Sequence, residues 1–230
     1  MDVKLTFTMN STVYLKDPEG SEVGRRLTKQ SIDLIDQIGF ESFTFKKLAA
    51  EAETTEATVY RYFENKHRLL LYIISWYWKY LDFYLDYRLQ NISNPNQQLC
   101  EIVHILTHSL PESNEKLDYD KKKLHRIVIT ESCKVYLVRE VTEINKNEVF
   151  KPYKDLCARI AHIIKQSDKH YPFPHSLSIT LIETAHQQEF FIHNLPRLTD
   201  FSGGNANDYT ADFLKDMLMR MLNISAKKTT

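Results

Sequence analysis

Thr55, Glu56, Ala57, Thr58, Tyr60, Arg61 and Tyr62 crowd side chains able to address base pairs into one short stretch. A guanidinium can bond guanine O6 and N7 together, and Arg61 is the one side chain here with that reach. Ala57 and the Thr58 methyl suit a thymine methyl, and the Thr55 hydroxyl suits a base edge or a phosphate. Glu56 has two readings, acceptance from cytosine N4 or a carboxylate at a helix start that meets the helix dipole. A small, hydroxyl-bearing, singly basic surface of this kind fits a DNA groove.

Other chemistry finds less support. His104 and His108 stand one helical turn apart, and Glu183, His186, Glu189 and His193 share spacings of three and four. Both sets could ligate a metal, but helices produce such spacings by chance, so no metal site is expected. No Gly-rich phosphate loop, nucleophile elbow or Ser-His-Asp order is present, so no catalytic residue and no cofactor is expected. Cys100, Cys133 and Cys157 are scattered and odd in number, which fits a reduced, cytoplasmic setting. No apolar run is long enough to span a bilayer.

Charge sharpens the DNA reading. The 230 residues carry 30 basic and 30 acidic side chains, a balance that speaks against a generic polyanion binder. Affinity for DNA would come from local placement: Arg25, Arg26 and Lys29 in one cluster, Lys46, Lys47, Arg61, Lys66 and Arg68 in another.

The elements that would position these residues follow from periodicity. Thr44 can cap a helix whose Phe45, Leu48, Ala49 and Ala52 form one apolar face, and small Ala residues permit a close crossing. Thr55 can cap a second helix held by Val59 and Phe63, so the pair reads as a helix-turn-helix. Upstream, Asp17-Pro18 or Ser21 starts a helix that Gly39 ends, with Leu27, Ser31, Leu34, Ile35 and Ile38 on its inner stripe. Asn65 caps a long fourth helix to about Gln90, apolar on nearly every side from Leu69 to Trp78. Further helices are predicted at about 97–109, 120–141, 147–167, 175–194 and 207–224. Only five Gly and seven Pro agree with an all-α fold of long helices. The alternation across residues 1–16 fits two short strands, with a partly ordered tail as the other reading.

The string Thr58-Val59-Tyr60-Arg61-Tyr62-Phe63-Glu64-Asn65-Lys66-His67-Arg68-Leu69-Leu70 resembles the DNA-binding domain of TetR-family transcriptional regulators, the resemblance running from about Glu22 to Arg88. It departs at the turn, where the family usually has Gly and an aliphatic residue and this chain has Glu53 and Thr54; a left-handed turn would strain Glu53 by roughly 1 kcal/mol. The resemblance implies phosphate contacts from Tyr60, Tyr62 and Lys66 and from the start of the first helix, at Arg25 and Arg26, although Tyr62 could equally be core. Thr44 completes the expected DNA-binding set.

The resemblance also implies an architecture. It comprises an N-terminal extension (1–20), a helix-turn-helix domain (21–65), and a ligand-binding and dimerisation domain (66–230) that includes the fourth helix as connector. The last two long helices would form the homodimer, placing two recognition helices about 34 to 36 Å apart on double-stranded operator DNA. A repressor released by a small-molecule effector is the expected function. The other reading is a protein of this fold that works through protein contacts without sequence-specific DNA binding. For the effector, the polar residues His104, His125, Glu131, His162 and His186 and the aromatics Trp76 and Tyr80 are the candidate pocket.

Overall fold

The computed structural model describes residues 6–108, 119–139, 141–146 and 148–222. In chain order its helices are α1 (Glu22–Ser42), α2 (Phe45–Glu51), α3 (Glu56–Tyr60), α4 (Lys66–Leu89), α5 (Pro95–Thr107), α6 (Lys121–Glu131), α7 (Cys133–Tyr136), α8 (Val141–Asn145), α9 (Lys151–Ser167), α10 (Pro174–Asn194) and α11 (Ala206–Met221). The fold is all-α. Two compact units emerge, one within Met1–Tyr80 and Pro111–Tyr153, the other within Leu81–Leu110 and Lys154–Thr230. This division differs from the expected boundary after residue 65, because the first part of α4 packs with the helix-turn-helix.

The predicted N-terminal strands do not form among the described residues. Asn10 instead caps a 3-10 turn at Ser11–Val13, accepting the Thr12 N–H at 2.9 Å. An alternating pattern needs a partner strand to be a strand, and none is available here. Met9 and Val13 are buried, Phe7 packs edge-on against Trp76, and the Leu15 N–H donates to the Tyr62 carbonyl at 2.7 Å. Residues 1–5 lie outside the described residues.

In the first unit, Ser21 caps α1 by accepting the Gly24 N–H at 3.1 Å. Gly39 interrupts α1 with φ 73°, a left-handed conformation that glycine adopts without a Cβ penalty. The inner face of α1, with Leu27, Ile32 and Ile35, packs on α2 and α6. Two ion pairs align the latter contact, Lys123 with Asp33 at 2.5 Å and Arg126 with Asp36 at 2.7 Å, and a third, Lys134 with Glu41 at 2.8 Å, ties α7 to the end of α1. In α4, Leu69 to Trp78 are all buried, as an apolar circumference requires.

The helix predicted over 120–141 is broken after Glu131 and again after Tyr136. Tertiary contacts override its periodicity: the Tyr136 hydroxyl accepts from Trp78 Nε1, and its ring stacks on Tyr153 at 5.2 Å. The second unit packs α5, α10 and α11 together around Leu99, Ile102, Leu181 and Leu214. Its last two helices agree with the predicted positions within a few residues. Among the described residues no helix is long and apolar enough to cross a membrane.

Candidate nucleic-acid interface

The interface is assembled from two caps and one turn. Thr44 Oγ1 accepts the Lys47 N–H at 3.2 Å, starting α2, and Thr55 Oγ1 accepts the Thr58 N–H at 3.2 Å, starting α3. Between them the Thr54 N–H reaches Ala49 O at 2.8 Å and the Glu53 N–H reaches Ala50 O at 3.2 Å. That pair of bonds is a Schellman motif, and Glu53 occupies its left-handed position at φ 48°, where glycine is usual. The turn therefore keeps its left-handed geometry and Glu53 carries the strain.

Beneath the surface, Leu48, Val59 and Phe63 are fully buried and fix the crossing of α2 and α3. Thr55, Glu56, Ala57 and Arg61 face solvent, Thr58 is half-buried, and Tyr60 is 51% exposed. The Tyr60 ring leans edge-on against Phe45, centroids 5.0 Å apart, which restrains the half-exposed ring. Thr44, Lys46, Glu56, Tyr60, Asn65 and Lys66 line one open depression of about 350 Å³. Such a surface can admit a phosphate at the depression and base edges along the exposed face of α3.

Three expected phosphate ligands have partners within the chain. Tyr62 is only 4% exposed, and its hydroxyl pairs with Ser21 Oγ at 2.7 Å, so it belongs to the core that joins α1 to α3. Lys66 Nζ donates to the carbonyls of Phe40 at 3.1 Å and Glu41 at 3.3 Å, and lies 4.6 Å above the Phe40 ring. It satisfies the carbonyls left open where α1 breaks, a structural task. Arg25 donates to Glu19 O at 2.7 Å, whereas Arg26 and Lys29 are exposed.

A family model of bacterial regulatory proteins, tetR family, matches residues 27–73. This part of the chain is a TetR-family domain. No curated protein matches the chain in sequence. Among solved structures, the chain is similar to AibR in complex with isovaleryl coenzyme A and operator DNA, at 18% identity and TM-score 0.59, covering 85% of this chain and 97% of that one. It is also similar to the fatty acid degradation regulator FadR from Bacillus halodurans, at 14% identity and TM-score 0.61, covering 86% and 95%. A third similar structure is that of the superantigen PfiT, at 13% identity and TM-score 0.56, covering 93% and 100%. At these identities the likeness establishes the fold.

Around the TetR-family domain the structure adds a cation that pattern reading missed. Lys16 is exposed with its Nζ 5.1 Å from the Tyr62 ring centroid, brought to the end of α3 by the bond between Leu15 and Tyr62. Its signal in the sequence was hidden by the strand-like alternation around it.

The expected effector residues do not converge. Trp76 and Tyr80 stack at 5.7 Å inside the core, with Tyr119 edge-on to Trp76 at 5.0 Å. His125 Nδ1 meets the Tyr77 hydroxyl at 2.7 Å, and Glu131 bonds backbone. In the second unit His186 is buried, but His104 and His162 are exposed, because each falls on the outer side of an amphipathic helix. Burial and the neighbouring His108 hold the His104 imidazole below its usual pKa. His108 itself pairs with Asp208 at 3.1 Å. Among the described residues no three His, Cys, Asp or Glu side chains gather as a metal cage.

Proposed function

We propose that the protein is a cytoplasmic, ligand-responsive transcriptional regulator that binds a palindromic operator as a homodimer and acts as a repressor, released when a small molecule binds. One observation carries this reading. In a domain matched by the tetR family model, α3 turns Thr55, Ala57, Tyr60 and Arg61 to solvent while Val59 and Phe63 anchor it from below. AibR, similar in fold, has been captured with both operator DNA and an acyl-coenzyme A.

The homodimer reading draws on the last two helices. Leu177 and Leu181 on α10, Leu214 and Leu218 on α11, and Leu222 after it are buried within the chain. Phe213, Met217 and Met221 repeat at spacings of four along α11 and remain partly or well exposed, as do Phe190 and Phe191 on α10. An apolar row of this kind suits an isologous contact with a second copy. Sedimentation of wild type and Phe213→Glu tests it: a dimer converted to monomer supports the contact, and an unchanged assembly removes it.

The decisive test of function is selection of genomic fragments followed by gel shifts at two salt concentrations. Retention of one fragment, weakened by Arg61→Ala, is the expected result. Equal binding of every fragment, or none, would favour the second reading, a protein that acts through protein contacts. The balanced charge and the fold shared with the superantigen PfiT are what keep that reading in view.

A further inference from the structure

Where α4 begins, it faces α7 and α8 across a cavity of about 400 Å³ lined in part by Arg68, Leu71, Lys134, Val135, Val138 and Ile144. We propose that this cavity binds a small monoanionic carboxylate with a short or branched apolar body, gripped by Arg68.

One bond at this cavity is unmade. Arg68 Nη1 is buried and has no hydrogen-bond partner, although the side chain as a whole is 29% exposed. A buried guanidinium N–H without an acceptor is costly, so such a group marks a place where an acceptor belongs. Its near neighbour does not supply one: Glu64 approaches Nε at 3.7 Å, too long for a hydrogen bond, and is 65% exposed. Lys134, the other cation at the cavity, is engaged by Glu131 at 2.7 Å and Glu41 at 2.8 Å. Of the two cations, Arg68 is thus the one with a buried donor left without an acceptor.

Ligand class follows from charge and lining. With Lys134 paired twice and Glu64 standing 3.7 Å from Arg68, an entering anion takes the place of a carboxylate already there, which suits a planar monoanion matched to the guanidinium fork better than a phosphate dianion. Leu71, Val135, Val138 and Ile144 form the remaining wall, so the rest of the ligand is apolar.

Position gives the site its consequence, which rests on the DNA-binding reading above. His67 packs edge-on against Phe40 at 5.2 Å, Lys66 bonds the Phe40 carbonyl, Lys134 lies 5.6 Å from the Phe40 ring, and Glu131 holds the Phe40 N–H. The groups that fix the break of α1, and through it the seat of α2 and α3, thus adjoin the cavity. A carboxylate drawing Arg68 and Lys134 inward would compete with Glu41 and Glu131 for Lys134 and reset that seat. Differential affinity for the two arrangements is what couples ligand to DNA.

The test uses the full-length protein, calorimetry, and hexanoate, 4-methylpentanoate and phenylacetate beside their primary amides and inorganic phosphate. Saturable binding of at least one carboxylate is expected, weakened about tenfold or more in its amide and in Arg68→Met, and unchanged in Arg26→Met. Ligand-free Arg68→Met should melt at or above wild type, since the substitution removes an unsatisfied donor. No carboxylate binding, equal binding of the amides, preference for phosphate, binding that survives Arg68→Met, or a marked fall in its melting temperature would each overturn the site. A gel shift separates the two ideas. Carboxylate binding by a protein that retains no DNA fragment sinks the regulator reading and leaves the site; retained DNA without carboxylate binding does the reverse.

Discussion

Glu131 Oε1, on α6, accepts the backbone N–H of Phe40 at 3.1 Å, from 91 residues away in sequence. Gly39 makes this possible, because its left-handed conformation turns the next amide out of the helical ladder and toward α6. Glu131 is 7% exposed and also bonds Lys134, so the carboxylate joins α6, α7 and the end of α1. A residue expected in an effector pocket instead ties α6 and α7 to the end of α1. Glu131→Ala leaves a buried N–H unpaired and should cost about 1–3 kcal/mol, whereas Glu131→Gln keeps an acceptor and should cost less. Urea unfolding measures both; an alanine variant as stable as the glutamine variant would remove that tie.

Glu53 holds φ 48° at a position that favours glycine. Glu53→Gly should raise stability by roughly 1 kcal/mol, while Glu51→Gly, at the end of α2, should lower it by a similar amount. Opposite shifts in melting temperature are expected from two neighbouring substitutions of the same kind. Shifts of the same sign would show that the turn carries no strain.

Gly24 sits in α1 against Pro18. An added Cβ would lie 2.3 Å from the Pro18 carbonyl oxygen and 2.7 Å from its Cα, both backbone atoms. Alanine normally improves a helix interior by roughly 1 kcal/mol over glycine. Here the clash should win, making Gly24→Ala destabilising by about 1–3 kcal/mol and detaching the segment before α1. Thermal unfolding decides the sign.

On the selected DNA fragment, Arg61→Ala should cost about 1–3 kcal/mol and relax the preference at one base pair. Lys46→Ala should weaken binding evenly across sequences and lower the salt slope by about one. Binding titrations at several salt concentrations tell the two apart. Equal, sequence-independent losses from both would assign Arg61 to phosphate.

Burial pushes the Cys157 thiol up to about 11, against a smaller opposing bond from Ser178. At pH 8 only about a thousandth of it is thiolate, so Cys100 and Cys133, both exposed, should alkylate first. Because the folded value lies above the unfolded one, the stability this group contributes is whole below about pH 9 and is lost as pH rises through about 11. Tyr72, raised by burial first and then by Tyr119 and Glu19, deepens the same alkaline loss. Mass spectrometry of labelled protein gives the order of reaction, and melting curves from pH 8 to 11 in wild type and Cys157→Ala give the limb.

Local rules carried much of the fold. Ser21, Thr44, Thr55 and Asn65 each cap the helix they were expected to start, since a cap needs only its own side chain and an amide two or three residues on. Gly39 and the turn at Glu53 were legible for the same reason. What failed depended on partners distant in sequence. The strand-like alternation before residue 16 met no strand, and the helix over 120–141 was bent by Trp78 and Tyr153.

The amino-acid order by itself determined the all-α class, the helix-turn-helix and the exposed face of α3, because period, capping and side-chain size act within a few residues of one another. Only tertiary structure decided that Tyr62 is buried against Ser21, that Lys66 caps the carbonyls where α1 breaks, that Glu131 holds that break, and that Arg68 keeps a buried donor without a partner. Those outcomes depend on which carbonyl, carboxylate or ring the fold brings within about 3 Å of a polar atom, and hydrogen bonding falls off too steeply with distance for periodicity to anticipate it.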